Sequence, residues 1–348
     1  MTFDARKATL IGASIAEFRQ AHSQAVAELL VPGSEPANVI GLAIGVKWTA
    51  GLPTGRPALL VLVTYKAEMT DLTPRDRIPP ALAGVPTDVL AVGRPVAAGA
   101  SSSAVDHALT RRQRPVKGGF SVGHKDVTAG TVATGVYDVL PGGGISPPSP
   151  GVGIPPGYYI LSNNHILANE NGASIGDPIL QPGPFDGGTM PADTIATLSR
   201  FVPISLAPDI PKDKHQNVVD AAVALTPCQD LDREVHWVGR IRGWRRRSNV
   251  NVGTMVQKVG RSSGYTLGRI AAVNATIDIG YSAGRSARFH DQIITTPLSL
   301  PGDSGSLVNT LDGVAVGLLC AGSVGATVLN QIENVRAQLG VEVSEQML

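Results

Sequence analysis

The sequence predicts a mainly β fold, on the strength of its composition and of its apolar pattern. Its 348 residues include 40 Gly and 26 Pro, and only 16% are charged, a balance typical of many short strands joined by turns. Short apolar runs bounded by turn residues recur along the chain. Helical spacing of apolar residues occurs only near its two ends.

The N-terminal part begins with a predicted amphipathic helix at 4–31, which Pro32-Gly33 ends. Strand-like runs follow, at Val39–Val46, Ala58–Tyr65 and Val89–Val92. No nucleophile, base and acid occur together here. We therefore interpret residues 1–112 as an N-terminal helix and small accessory α+β domain with a linker, serving substrate presentation, assembly or regulation.

Several later segments have two interpretations each. The connector 94–117 ends in Arg111-Arg112-Gln113-Arg114-Pro115, which is either a plain exposed linker or a processing site. The Gly- and Pro-rich stretch 141–157 is either a tolerated hairpin insertion or a mobile flap. The five arginines of 238–247 form either a solvated loop or a surface for RNA or an acidic protein. Thr131–Leu140 is predicted as a strand and Val328–Leu339 as the C-terminal helix.

The turn Pro301-Gly302-Asp303-Ser304-Gly305-Ser306 precedes the apolar pair Leu307-Val308. A serine between glycines at the start of a buried strand can be exposed on a tight turn, and successive N–H groups of such a turn can bind an oxyanion. A serine hydroxyl is a poor nucleophile without a base. The turn therefore predicts acyl-transfer chemistry if a histidine and an acid accompany it. The alternative is an ordinary hairpin turn.

His165 is the candidate base, because it follows the apolar run Tyr158–Leu161 and small polar residues. Imidazole titrates near neutrality and suits general-base catalysis. The other histidines have no comparable setting; they are residues 22, 107, 124, 215, 236 and 290. Asp220 is the candidate acid, as the one acidic residue in the strand-like run Asn217–Leu225. A buried carboxylate needs a partner, either an imidazole N–H or local backbone N–H groups.

The order His165, Asp220, Ser304 resembles that of trypsin/chymotrypsin-like serine proteases. The stretch Gly260–Gly268 (GRSSGYTLG) and the Leu-Ser-Asn-Asn-His motif are similar to those of one branch, which comprises bacterial trypsin-like peptidases and plant narrow-leaf-type proteases. The resemblance covers roughly residues 36–341. Ser306 departs from it, because many members have a second glycine there.

The resemblance implies a chymotrypsin-like double six-stranded β-barrel with the triad in the cleft between the barrels. The protease domain would span 113–348, with the first barrel at about 118–236, the second at about 250–327 and the C-terminal helix at about 328–339. Backbone N–H groups of Gly302 and Ser304 would form the oxyanion hole. The specificity pocket would have Leu298 at its floor and a wall of Cys320-Ala321-Gly322. With no acid at Leu298, a small or medium apolar side chain is the expected preference.

The chemistry needs no cofactor, and no zinc-binding or phosphate-binding motif is present. Two cysteines, Cys228 and Cys320, offer no disulfide framework, and no signal peptide or transmembrane run is evident, so we expect a cytoplasmic enzyme. A net charge of +1 gives no general attraction to nucleic acid or membranes. The expected partner is a protein or peptide substrate. Self-cleavage, homo-oligomer formation and a low-turnover binding scaffold stay open as hypotheses.

Overall fold

Strands dominate the chain, which confirms the predicted mainly β fold with an N-terminal helix. The computed structural model describes residues 4–50, 52–101 and 104–345. The predicted accessory domain 1–112 therefore includes a few positions outside the described residues. The α-helices are α1 (Gly12–Leu29), α2 (Asn164–Leu167) and α3 (Ile332–Leu339). Short 3-10 helices lie at Ala5–Ala8, His107–Thr110, Pro184–Asp186, Lys212–Lys214, Cys228–Asp230, Arg247–Asn249 and Ser282–Gly284.

The described strands number twenty-four. Those before His165 are β1 (Val39–Thr49), β2 (Leu52–Val63), β3 (Ala81–Leu82), β4 (Val85–Ala91), β5 (Val116–Gly118), β6 (Ser121–His124), β7 (Gly130–Thr131), β8 (Gly135–Asp138), β9 (Gly144–Ile145), β10 (Pro148–Ser149) and β11 (Tyr158–Ser162). Those after it are β12 (Pro178–Leu180), β13 (Thr194–Phe201), β14 (Ala222–Thr226), β15 (Leu231–Val235), β16 (Gly239–Arg240), β17 (Gly243–Trp244), β18 (Met255–Gly260), β19 (Gly264–Gly280), β20 (Ser286–Thr295), β21 (Leu307–Thr310), β22 (Val314–Gly322), β23 (Thr327–Gln331) and β24 (Val341–Glu342).

Six strands of the C-terminal half close into a barrel. Their order is β18-β21-β22-β23-β20-β19, and β19 pairs again with β18. Val256 of β18 shows the closure, because it pairs with Thr310 of β21 on one side and with Gly268 of β19 on the other. A closed ring leaves no free edge among these strands. The Ser304 turn lies between β20 and β21.

Seven strands between residues 121 and 226, together with β24, form an eight-stranded sheet. Its order is β24-β8-β11-β14-β13-β12-β6-β7, in which two-residue strands flank six longer ones. Strands β11 and β14 are adjacent and antiparallel, with Ser162 opposite Ala222. Since β11 leads into His165 and Asp220 immediately precedes β14, this pairing positions both residues at the same end of the sheet. Ile160, Leu161 and Val223 are fully buried in its core.

The N-terminal segment continues the sheet of the closed barrel. β1 pairs antiparallel with β19, and β2, β4 and β3 follow in that order. Helix α1 packs on this extension through Ile15 and Ala25, which together with Leu30, the residue after the helix, share an apolar cluster with residues of β1 and β2. Burial of this apolar stripe stabilises the helix. The domain boundary at residue 112 stays a prediction, since no part of the structure isolates the N-terminal segment from the barrel.

Three predicted elements differ in detail. The helix predicted at 4–31 is interrupted, because Leu10 pairs with Val252 before α1 begins at Gly12. The strand predicted at Thr131–Leu140 is divided between β7 and β8. The helix predicted at 328–339 begins only at Ile332, because Val328 and its neighbours pair with β20 and β22 as part of β23. Within the described ranges, no helix is both long enough and apolar enough to span a membrane.

Candidate active site

The strand and helical turn around His165 fix that side chain in the interior. Strand β11 ends at Ser162, and the four-residue helix α2 contains His165 between buried neighbours. Only 4% of the His165 surface is exposed. The Asn163 amide donates to the carbonyl of Asp220 at 2.7 Å. The end of β11 is therefore tied directly to the segment that precedes β14.

Asp220 is fully buried and contacts His165 in two ways. Its Oδ2 lies 2.5 Å from the imidazole Nδ1, and its Oδ1 accepts the His165 backbone N–H at 3.1 Å. One carboxylate thus orients both the ring and the backbone of the same residue. The Asp220 backbone N–H donates to Asn330 Oδ1 at 2.9 Å. Asp220 lies two residues before β14 rather than within the strand, which turns its side chain toward His165.

Tyr281 is a third partner of the acid. Its hydroxyl donates to Asp220 Oδ2 at 2.8 Å. Burial, followed by the negative charge of Asp220, raises the pKa of Tyr281 well above its usual range, so the phenol stays a donor. The Tyr281 and His165 rings also meet edge to face, with centroids 6.2 Å apart. Sequence reasoning missed Tyr281, because a tyrosine after a long strand has no distinguishing pattern.

The turn around Ser304 is held by Thr131. The Thr131 N–H donates to the Ser304 carbonyl at 2.8 Å, and its hydroxyl donates to the Gly302 carbonyl at 2.9 Å. The Thr131 carbonyl in turn accepts the Ser162 hydroxyl at 2.7 Å. This chain of hydrogen bonds links the turn around Ser304 to the end of β11. Gly305, at φ +93°, has no room for a Cβ, which would collide with Ser162 Oγ.

Among the described residues, the Ser304 hydroxyl makes no hydrogen bond with the imidazole. It donates to the carbonyl oxygen of Ala98 at 3.2 Å. His165 Nε2 is buried and has no hydrogen-bond partner among the described residues. A buried nitrogen of this kind is an available proton acceptor. Gly302 N–H, one of the two predicted oxyanion donors, also donates to Ala98 O, at 3.3 Å. The other predicted oxyanion donor is the backbone N–H of Ser304. The side-chain hydroxyl of the same residue contacts the Ala98 oxygen.

A buried ion pair with Lys258 holds Asp303 in place within the Ser304 turn. Lys258 Nζ lies 3.0 Å from Asp303 Oδ2, and both side chains are inaccessible to solvent. Burial lowers the pKa of Lys258, and Asp303 opposes that shift. The carboxylate also accepts N–H groups from Ser262 at 2.8 Å and Ser263 at 3.1 Å. The motif at Gly260–Gly268 therefore forms a cradle for Asp303, a role that its sequence pattern alone did not reveal.

A cavity of about 520 Å³ adjoins Ser304. Of the residues predicted to form the specificity pocket, Gly322 lines this cavity. Leu298, Cys320 and Ala321 do not line it and belong to the hydrophobic cores of the closed barrel. Other residues that line this cavity are neighbours of the predicted ones: Pro297, Ser299, Leu300, Leu319 and Ser323. The specificity pocket stays a prediction.

No group of three or more His, Cys, Asp and Glu side chains within the described ranges has the arrangement of a metal site. Both cysteines are free thiols, and they differ in exposure: Cys228 is exposed and Cys320 is buried.

Comparison with known proteins gives limited similarity. No protein-family model and no curated protein matches the sequence. Among solved structures, Thermobifida fusca protease A is 15% identical, with a TM-score of 0.43, over 66% of this chain and 99% of that one. Cellulomonas bogoriensis chymotrypsin is 17% identical, with a TM-score of 0.42, over 66% and 99%. Nocardiopsis protease is 19% identical, with a TM-score of 0.43, over 65% and 97%. The narrow-leaf-type branch stays a prediction.

Proposed function

We propose that this protein is a serine endopeptidase that hydrolyses peptide bonds through His165, Asp220 and Ser304. The observation that supports this most is the buried contact of 2.5 Å between Asp220 Oδ2 and His165 Nδ1, while Nε2 has no hydrogen-bond partner in the part of the chain that the structure describes. An imidazole held in this way presents an unprotonated Nε2 as a base. A structural histidine would be expected to satisfy both nitrogens.

In the proposed reaction the Ser304 side chain rotates toward His165 Nε2 and gives up its proton as Oγ attacks the scissile carbonyl. Asp220 keeps Nδ1 protonated and stabilises the imidazolium. Gly302 N–H, with Ser304 N–H, stabilises the oxyanion. His165 then protonates the leaving amine, and water hydrolyses the acyl-enzyme with His165 again as the base. The Lys258–Asp303 pair keeps the donors in position throughout.

The substrate class is a protein or peptide with a small or medium apolar residue at the cleaved position. The cavity beside Ser304 supports this, because Pro297, Leu300 and Leu319 line it and no acidic side chain does. We also propose the predicted division into residues 1–112 and 113–348, and a cytoplasmic bacterial setting in which no cofactor is required. A homo-oligomer is part of the same proposal.

A second candidate function is a low-turnover scaffold that uses the fold to bind protein partners. The contact that favours it is the hydrogen bond between Ser304 Oγ and the protein's own Ala98 carbonyl. A nucleophile engaged in this way cannot at the same time donate to His165.

A biotinylated fluorophosphonate distinguishes the two functions. We expect the native protein to be labelled, and Ser304→Ala or heat-denatured protein to be unlabelled. The exposed Ser248 offers a matched control, since Ser248→Ala should label like the native chain. Removal of Ser304 or His165 should lower kcat on the order of 10⁶-fold, and Asp220→Asn on the order of 10⁴-fold. Labelling that persists in Ser304→Ala would overturn the assignment of the nucleophile.

A further inference from the structure

Residues 95–100, here termed the strap, cross the cleft beside Ser304 as an extended segment. Val96 N–H donates to the Gly322 carbonyl at 3.1 Å, and Gly322 N–H donates to the Val96 carbonyl at 3.2 Å. On the other edge Gly280 exchanges two further backbone hydrogen bonds with the strap, both of 3.0 Å. The strap therefore lies between the ends of β19 and β22 and binds through its main chain, as an added strand does.

Two residues after Val96, the strap presents a carbonyl to the nucleophile. Ala98 O accepts from Gly302 N–H at 3.3 Å and from Ser304 Oγ at 3.2 Å. The carbonyl carbon is one bond, about 1.2 Å, from that oxygen. The peptide bond that follows Ala98 is therefore next to the hydroxyl that would attack it. The oxygen already contacts a donor proposed for the oxyanion.

The strap is also fixed beyond this peptide bond. Ala100 N–H donates to the Ala129 carbonyl at 2.7 Å. Gly99 lies against Thr128, where a Cβ would collide with Thr128 Oγ1 and would approach the Ala129 carbonyl to 3.2 Å. Anchors on both sides of one peptide bond hold it in place, and fixed geometry of this kind accelerates an intramolecular reaction.

Ala98 lies at the pocket that the side chain of the proposed substrate would use. Ala98 lines the cavity of about 520 Å³ together with Leu300, Ser304 and Gly322. Alanine agrees with the small or medium apolar residue expected at the cleaved position. The strap thus matches a substrate in its main-chain pairing, in its carbonyl contacts and in the side chain that it offers.

We propose that Ser304 cleaves the Ala98–Gly99 bond of its own chain, an inference that rests on the proposed endopeptidase function. Oγ bonds to the Ala98 carbonyl carbon as its proton passes to His165 Nε2. The C–N bond then breaks, and that proton moves to the Gly99 nitrogen, which leaves as an amine. One water molecule hydrolyses the Ala98 ester, which restores the Ser304 hydroxyl and gives an Ala98 carboxylate.

The two products should stay associated after cleavage. Strand β1 pairs with β19, and β2 and β4 continue that sheet, so the first product remains bound through strand pairing and through α1. The new ends are free to leave the cleft and expose Ser304. Self-cleavage in this place therefore makes the site accessible without dissociating the protein.

Intact mass spectrometry of freshly purified full-length protein tests the proposal. We expect two denatured species, one ending at Ala98 and one beginning at Gly99, which elute together on native size exclusion. Ser304→Ala should stay at the full 36.0 kDa. Isotope-labelled Ser304→Ala should also stay intact when it is mixed with the native enzyme. Its strap lies in its own cleft, so Ser304 of another molecule should not reach the Ala98–Gly99 bond. Cleavage instead within Arg111–Arg114 would overturn the proposal.

Gly99→Val separates the inference from the proposed function. Its side chain collides with Thr128 and displaces the strap, so self-cleavage should slow on the order of 10²-fold while fluorophosphonate labels Ser304 faster. The exposed Ser101 supplies the matched control, and Ser101→Val should be cleaved like the native chain. An intact native chain with a readily labelled Gly99→Val would overturn self-cleavage and leave the endopeptidase standing. Absence of both cleavage and labelling in every variant would overturn the endopeptidase itself.

Discussion

Tyr281 donates its hydroxyl to Oδ2 of Asp220, the same oxygen that lies 2.5 Å from the His165 imidazole. The acid is thus oriented by a phenol from the closed barrel while it orients a histidine from the other sheet. A hydrogen bond to a buried carboxylate contributes about 1.5–3 kcal/mol. In the proposed reaction Tyr281 would be a positioning residue, since it contacts the proposed catalytic groups through Asp220.

We expect Tyr281→Phe to lower kcat/KM about tenfold, because roughly 1.4 kcal/mol of orientation corresponds to that factor, and to leave KM nearly unchanged. A merely structural role would reduce stability without this split between kcat and KM. The exposed Tyr65 provides the control, since Tyr65→Phe should alter neither quantity. Steady-state kinetics on a peptide substrate checks this, and equal losses in both variants would contradict it.

Sequence reasoning reached residues whose pattern is local. His165 follows an apolar strand and Ser304 lies between glycines, and both patterns are visible in a few neighbouring residues. Tyr281 and Lys258 were missed because their roles depend on partners that are 61 and 45 residues away. The strap was not predicted for the same reason. Nothing in the sequence around Ala98 distinguishes it, and its contact with Ser304, 206 residues away along the chain, is visible only in the fold.

The fold was predictable to a similar extent. The many Gly and Pro residues and the short apolar runs indicated β structure. The pairing of β1 with β19 could not be predicted, because it depends on where β19 lies in the assembled barrel. The sequence therefore did not show that β1, β2, β4 and β3 continue the sheet of the closed barrel, and the division at residue 112 stays a prediction. Element bounds also differ where strand pairing decides them, as at residues 328–331, which were predicted as the start of the C-terminal helix but pair with β20 and β22 as part of β23.

The buried Lys258–Asp303 pair should make a large contribution to stability. Lys258→Met leaves Asp303 as an inaccessible charge without its cation, so we expect the free energy of unfolding to fall by about 3–5 kcal/mol. The exposed pair Lys125–Asp126 is the matched control, and Lys125→Met should change stability by less than about 1 kcal/mol. Urea denaturation measures both. Partial recovery in Lys258→Met/Asp303→Asn would assign the loss to the unpaired charge, and an equal effect of the two lysine variants would refute it.

The two thiols should differ sharply in reactivity. Burial, and then the charge of Asp220, raises the pKa of Cys320 well above its usual range, whereas Cys228 is exposed. Because the thiolate is the reactive form, native protein should take up one iodoacetamide and urea-unfolded protein two. Mass spectrometry counts the adducts. Cys228→Ser should abolish native labelling, and native modification of Cys320 would contradict its burial.

His22 should make stability depend on pH below neutrality. Burial lowers its pKa from 6.5 to about 4, although the hydrogen bond to the Leu42 carbonyl opposes the shift. Nε2 lies 3.1 Å from that carbonyl, and Nδ1 lies 3.1 Å from the Asn274 amide nitrogen. Arg19 donates to Asn274 Oδ1 at 3.0 Å, which keeps the amide N–H₂ directed at the ring. The neutral tautomer satisfies both contacts, and a proton on Nδ1 would break one.

Between pH 6.5 and pH 4 the unfolded chain therefore binds a proton at His22 that the folded chain does not, so stability falls as pH falls through this window. We expect the free energy of unfolding to decrease by about 2 kcal/mol from pH 7 to pH 5 on account of His22. His290, whose pKa burial also lowers, adds to the same trend. Denaturant titrations at the two pH values measure the change, and His22→Gln should reduce it while His107→Gln, at an exposed site, should not. A native chain equally stable at pH 5 and pH 7 would show that α1 is not held by a neutral imidazole.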